Sequence, residues 1–314
     1  MMEISEKLKE RFIRDKSLLI KFYDEPFFTE KLHLLEKQFN AYTLWEGYLK
    51  MLEKYDSEDD YFRYYNQLKD QILTTVQNAE GFKRLTADNT LDTHIQNVGF
   101  RSEHIFHGDN IGKTFLSVDM RRANFNALRR YDASIFNGAE TWEDFVRQFT
   151  DEEYIIQSKY IREAIFGFCN PNKTQKMMKK LMDGFLTALL ELGVPKELIV
   201  YFGNDEVIVD ITHNREFVEV VEKAVEQSDL KLRVEEYTIT AARNGVNGKI
   251  LGYILNKTDG TYGFKCFNYR TLPFVLRALQ GEEITEHDTY FKYEDDIVKF
   301  TDIPQILFIE KCTW

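Results

Sequence analysis

The sequence predicts an α+β protein, with an N-terminal helical region over residues 1–90 and an antiparallel sheet with flanking helices over residues 91–314. Three observations predict it. Apolar residues recur at helical spacing from the start to about residue 85. Short apolar runs bounded by turn residues begin at residue 114. Two of those runs are joined by Gly-Asn-Asp-Glu, a hairpin composition that makes them an antiparallel pair.

In the helical region, Leu8, Phe12, Leu18, Leu19 and Phe22 recur at roughly helical spacing, and Asp24-Glu25-Pro26 is the expected break. Leu32, Leu35, Phe39, Tyr42, Leu44 and Leu49 continue the pattern. Asp56-Ser57-Glu58-Asp59-Asp60 supplies the acidic start of a further helix. Residues 86–113 are polar and irregular, punctuated by Gly99, Gly108, Asp109 and Gly112, and mark the boundary.

Beyond it, Thr114-Phe115-Leu116-Ser117-Val118 suits a buried strand. Lys173 to Leu192 is a strongly periodic helix, with Gly193 placed to end it. Leu198–Phe202 and Val207–Val209 are strands flanking Gly203-Asn204-Asp205-Glu206. A helix follows over Phe217–Gln227, then strands at Leu232–Val234 and Ile250–Leu255. Leu272–Leu276 with its surrounding helix, and Tyr290–Tyr293, read as a small C-terminal appendage.

Composition bounds the function. Hydrophobic residues at 43% and charged residues at 30% are globular rather than disordered. Twenty-five Phe and seventeen Tyr make the core, or a ligand surface, aromatic. No run of about 18 apolar residues occurs, so no membrane span is expected. The opening segment lacks a signal peptide's apolar stretch. Cys169, Cys266 and Cys312 are widely spaced, which argues against a disulfide framework or a cysteine zinc site. The expected compartment is the cytoplasm, of a cell or of an infected host. A net charge of −11 argues against a protein that coats duplexes, leaving a local basic groove as the way to meet nucleic acid.

The chemistry points to two acids. Phe-Leu-Ser-Val-Asp119 is an apolar strand ending in a carboxylate, and Val-Tyr-Phe-Gly-Asn-Asp205-Glu206-Val is an apolar hairpin with acids at its tip. Side by side at one sheet edge, such carboxylates repel, and the arrangement becomes favourable when divalent cations lie between them. Asp119 and Asp205 are the expected ligands of Mg²⁺ or Mn²⁺, with Glu206 close by.

These segments carry a resemblance. Asp119-Met-Arg-Arg-Ala-Asn-Phe-Asn-Ala-Leu-Arg-Arg-Tyr-Asp132 resembles motif A of the family B DNA polymerases, Lys159-Tyr-Ile-Arg-Glu-Ala-Ile-Phe166-Gly167 resembles motif B, and Tyr201-Phe-Gly-Asn-Asp205-Glu-Val207 resembles motif C. The order is that of the family, over roughly residues 114–256. The resemblance implies a polymerase-like palm within residues 91–314, with the C-terminal appendage in a thumb-like place. It implies nucleotide-phosphate roles for Lys159, Arg121 and Arg122, and a sugar-contact position at Asn124. Gly203, Asn124 and Glu163 depart from the family's residues. The implied activity is a metal-dependent nucleotidyltransferase, or small DNA polymerase, using a nucleoside triphosphate and extending DNA or RNA. The Gly-Asn-Asp-Glu hairpin also resembles that of diguanylate cyclases, which implies a cyclising alternative; the departures leave a non-catalytic binding descendant as a third.

Lys173, Lys176 and Lys180 fall on one helix face, with Lys179 adjacent, a stripe suited to phosphate. His104 and His107 could share a metal but lack a third ligand. Lys257-Thr-Asp-Gly260 matches the adenylylated motif of ligases, yet reads better as a hairpin turn.

Overall fold

The computed structural model describes residues 3–89, 94–100 and 105–310. Among them the helices are α1 (Glu6–Lys16), α2 (Phe27–Phe39), α3 (Ala41–Leu52), α4 (Glu58–Asn78), α5 (Glu80–Ala87), α6 (Ala123–Tyr131), α7 (Trp142–Val146), α8 (Glu153–Ile156), α9 (Lys159–Gly167), α10 (Pro171–Glu191), α11 (Phe217–Gln227) and α12 (Leu272–Gln280). The strands are β1 (Thr114–Met120), β2 (Ile199–Phe202), β3 (Glu206–Asp210), β4 (Leu232–Asn244), β5 (Ile250–Lys257), β6 (Tyr262–Lys265), β7 (Tyr290–Tyr293), β8 (Asp296–Lys299) and β9 (Ile306–Ile309). The architecture is therefore α+β, with N-terminal helices before an antiparallel sheet and its flanking helices. No described helix is long and apolar enough to cross a membrane.

The chain forms two compact units. The first takes described residues within 1–66, 152–161 and 239–314; the second takes those within 67–151 and 162–238.

In the second unit the strand order is β2-β3-β1-β4, and each pairing is antiparallel. Along the chain the elements run strand, helices, two hairpin strands, helix, strand, which is a split β-α-β order. Directly opposed residues of an antiparallel ladder share a face. One face of β1 and its neighbours thus carries Leu116, Val118, Val207, Val209 and Val234, nearly all of them buried. Helix α10 packs on β3 and against α6 and α11, forming the helical layer. Its buried stripe of Met178, Met182, Phe185 and Leu189 accounts for the periodicity of residues 173–192.

In the first unit, β4 continues beside β5, with β6 next and β9 on β4. Ala242, Ile254 and Val275 form a small core there, with Leu251, Phe264 and Phe267 packed on it. The helical part is held by aromatic contacts: Phe12 meets Trp45 at 4.9 Å and Tyr48 at 5.6 Å between ring centroids.

Two boundaries differ from expectation. Helix α1 ends at Lys16, because Ser17 turns left-handed (φ 54°) and its N–H reaches back to Arg14. From there Leu18, Ile20 and Phe22 are buried while Leu19 and Lys21 are exposed, the alternation of an extended segment. Strand β4 runs on to Asn244, far past Val234, since the polar alternation after Glu235 is that of a half-buried strand.

Candidate carboxylate site

Strand β1 delivers Asp119 one residue before its end, directly opposite Glu206 on β3 and Arg233 on β4. The next row on that face is Ser117, opposite Ile208 and Glu235, and Tyr201 of β2 joins it as the partner of Ile208. The Met120 N–H donates to the Asp205 carbonyl at 2.8 Å, so the β2–β3 turn is fastened to the end of β1. Asp119, Asp205 and Glu206 are thereby brought to one sheet edge.

Electrostatics confirm the crowding. Burial, the largest cause, pushes the Asp119 carboxyl up to about 6; Asp205, Glu206 and Glu235 add to the rise and Arg233 opposes it. Arg233 Nη2 lies 3.3 Å from Asp119 Oδ2. The Ser117 hydroxyl donates to Glu206 Oε1 at 2.6 Å. Tyr201 also has its phenol pKa raised, by burial first and then by Glu206 and Asp205.

The hairpin that carries Asp205 is braced on several sides. The Gly203 N–H donates to the Glu206 carbonyl at 2.8 Å, closing the turn. A Cβ at Gly203 would sit 2.5 Å from the Tyr201 hydroxyl, so the ring occupies the space that a side chain would need. That explains glycine at this position. Lys179 of α10 donates to the carbonyls of Phe202 (2.8 Å) and Gly203 (3.1 Å), and its ammonium lies over the Phe202 ring. Burial pulls this lysine down to about 8.

The remaining expected residues separate. Arg122 is a left-handed residue (φ 47°) at the start of α6, and its guanidinium is paired with Glu143 at 2.7 Å. The exposed side chain of Arg121 has no hydrogen bond or ion pair with any described residue. Asn124 is half-buried in the first turn of α6. Lys159 opens α9 and belongs to the first unit, whereas Asp119 and Asp205 belong to the second. The lysine stripe is divided in role: Lys173 donates to the carbonyls of Leu85, Thr86 and Asp88, and Lys180 to that of His94, while Lys176 has no partner among the described residues.

His104 and Cys312 lie outside the described residues, and His107 contacts Asn110. Lys257–Gly260 is the turn between β5 and β6, with the Lys257 N–H donating to the Thr261 carbonyl.

Among the described residues, no three His, Cys, Asp or Glu side chains are gathered as a metal-holding group. Asp119 instead meets Arg233, and Glu206 meets Ser117. The donors at this edge are carboxylate oxygens, the chemistry that hard divalent cations take.

Sequence reasoning missed Ser117, Tyr201, Arg233, Glu235 and Lys179. Ser117, Arg233 and Glu235 depend on strand register between distant segments, and Tyr201 reaches their row through Ile208, its partner within the hairpin. Lys179 had a weak signal, its place beside the lysine stripe. Comparison of the chain with protein-family models, curated proteins and solved structures gave no match.

Proposed function

We propose that the chain is a divalent-metal-dependent nucleotidyltransferase that extends a nucleic-acid 3′ end from nucleoside triphosphates, with Asp119 and Asp205 as metal ligands on a palm-like sheet. The observation that most supports this is the fastening of the Asp205 turn to β1 by the Met120 N–H, which sets a strand-end acid beside a hairpin acid. The split β-α-β order of the second unit supports the palm-like reading, because it makes β1 and β3 neighbours.

Mg²⁺ or Mn²⁺ held there would supply the Lewis acidity that activates a hydroxyl and neutralises a leaving phosphate. The chain's own residues prepare that chemistry. Asp119, Asp205, Glu206 and Glu235 concentrate negative charge at a partly buried edge. Ser117 orients Glu206 by its hydrogen bond, and Arg233 holds Asp119 by an ion pair that a stronger cation would replace. Arg121, whose side chain has no described partner, is the better placed of the two arginines to meet phosphate; Arg122 is engaged by Glu143. Asn124 follows on α6 as the sugar-contact position.

One observation favours a second reading. The Asp119–Arg233 pair already neutralises the central carboxylate, as a non-catalytic binding descendant would have it. A cyclising enzyme that makes a nucleotide second messenger would use the same acids and differ in product.

The test is incorporation of labelled nucleotide by purified protein with Mg²⁺ or Mn²⁺, comparing wild type with Asp119→Asn and Asp205→Asn. Primed template and nucleoside triphosphates alone are run in parallel. Turnover lost in both variants supports the site, and the product separates an elongated primer from a cyclic dinucleotide. No turnover on any substrate, with metal binding unchanged in the variants, sinks the catalytic reading.

A further inference from the structure

One cleft lies between α10 and the hairpin that carries Asp205, and none of Asp119, Asp205 and Glu206 lines it. It has a volume of about 370 Å³ and is lined by Asn172, Gln175, Lys176, Lys179, Asn204 and Ile95. Four of these recur at three- and four-residue intervals along α10 and so share one helix face. Asn204 comes from the hairpin tip and Ile95 from the segment before β1. The lining holds two lysines and no carboxylate, in a chain of net charge −11.

Four of the five polar groups that line it are unengaged among the described residues. Asn172, Gln175, Lys176 and Asn204 make no hydrogen bond or ion pair with any described residue. Lys179 uses two of its ammonium donors on the Phe202 and Gly203 carbonyls, which leaves a third. Asp183, the acid nearest along the helix, is occupied by the N–H groups of Gln96 (2.8 Å) and Asn97 (2.9 Å). Two ammonium groups among unpaired carboxamides match an oxyanion with several acceptor oxygens, since charge-assisted hydrogen bonds to phosphate are the strong ones. The volume lies in the range of small-ligand sites, and Ile95 gives the cleft one apolar wall.

We propose that this cleft binds the polyphosphate chain of a nucleotide, with Lys176 and Lys179 on the phosphates and Asn172, Gln175 and Asn204 completing the contacts. This does not depend on metal at Asp119 and Asp205, and the two ideas fail separately. Binding of inorganic tripolyphosphate and of ATP is measured by calorimetry on the full chain in excess EDTA, which removes any contribution of divalent cations at the carboxylates. Lys176→Glu is compared with Lys223→Glu, an equal charge change on exposed α11. Asp119→Asn is run beside them.

The expected result is that both probes bind wild type, that Lys176→Glu weakens them by about tenfold or more, and that Lys223→Glu and Asp119→Asn leave them unchanged. Lys179→Met, read in the same way, should weaken both probes as well. No binding to wild type overturns the proposal. Equal weakening by Lys176→Glu and Lys223→Glu also overturns it, because the attraction is then general charge. A single-stranded oligonucleotide that depends on Lys176 while ATP does not bind would replace the nucleotide with a strand, and so overturn it too.

Discussion

Asp119 and Glu206 are direct cross-strand partners on one face of the sheet, at the end of β1 and the start of β3. Two acids opposed in this way are destabilising unless something intervenes. Here Ser117 takes up Glu206 and Arg233 takes up Asp119, and the Asp119 carboxyl is still raised to about 6. The edge stores an electrostatic cost that a bound cation would relieve.

Asp119→Asn should therefore stabilise the protein while removing any activity. The folded pKa of about 6 lies above the ordinary 3.8, so the stability linked to this group is fully present below about pH 4 and lost as pH rises through about 6. Near pH 8 the variant is expected to be more stable by about 1 kcal/mol. That is less than the shift alone would give, because the side chain is partly exposed and its pair with Arg233 is forfeited. Near pH 4 the difference should vanish. Urea unfolding at both pH values checks this, and a variant less stable at the higher pH would refute it.

Gly203→Ala should cost about 1 kcal/mol, because the new methyl meets the Tyr201 ring and that ring must shift. Combined with Tyr201→Ala, the glycine substitution should lose most of its own cost. A double-mutant cycle measures the coupling, which is expected to be at least about 0.5 kcal/mol. Purely additive effects would show that the ring does not hold this space.

The acids at the sheet edge were legible because each is announced locally. An apolar run ending in Asp119 and a turn around Asp205 need only short-range patterning, and the hairpin composition makes its strands antiparallel. Arg233 and Glu235 were not legible, since their place depends on the register of β4 against β1, more than a hundred residues earlier in the chain. Helical spacing put Lys173, Lys176 and Lys180 on one face but could not tell which would meet a backbone carbonyl. The end of α1 was misjudged because Leu18 to Phe22 satisfies a strand alternation as well as a helical one, and the left-handed Ser17 decides between them.

Lys179→Met should loosen the hairpin with little effect on global stability. The substitution loses two hydrogen bonds to carbonyls, but it also relieves the burial that pulls this ammonium down to about 8. The net change in unfolding free energy is expected to stay within about 1 kcal/mol. Amide exchange at Gly203 and Glu206 should quicken by about tenfold or more, as local opening becomes easier. Unchanged exchange there would mean that the turn is held by backbone hydrogen bonds, its own and the one from Met120, without help from Lys179.

The largest single-residue effect on stability is expected far from the carboxylate edge, at Asp15 in the first unit. Its carboxylate is 1% exposed and accepts from Ser158 Oγ (2.7 Å), Tyr154 OH (3.2 Å) and Tyr65 OH (3.3 Å). Arg11 stacks beside it on the rings of Tyr65 and Tyr160. Asp15→Ala leaves three hydroxyl donors without their acceptor, and should cost about 3–5 kcal/mol. Asp15→Asn keeps one accepting oxygen and should cost about 1–2 kcal/mol. Burial, the largest cause, raises the Asp15 pKa, so the wild-type contribution is fullest below the ordinary carboxylate range and is lost as pH rises through the folded value. The deficit of the Asn variant should therefore shrink as pH rises. Urea unfolding of both variants from about pH 4 to about pH 8 tests this, and a deficit that grows with pH would mean that Arg11 holds Asp15 ionised in the fold.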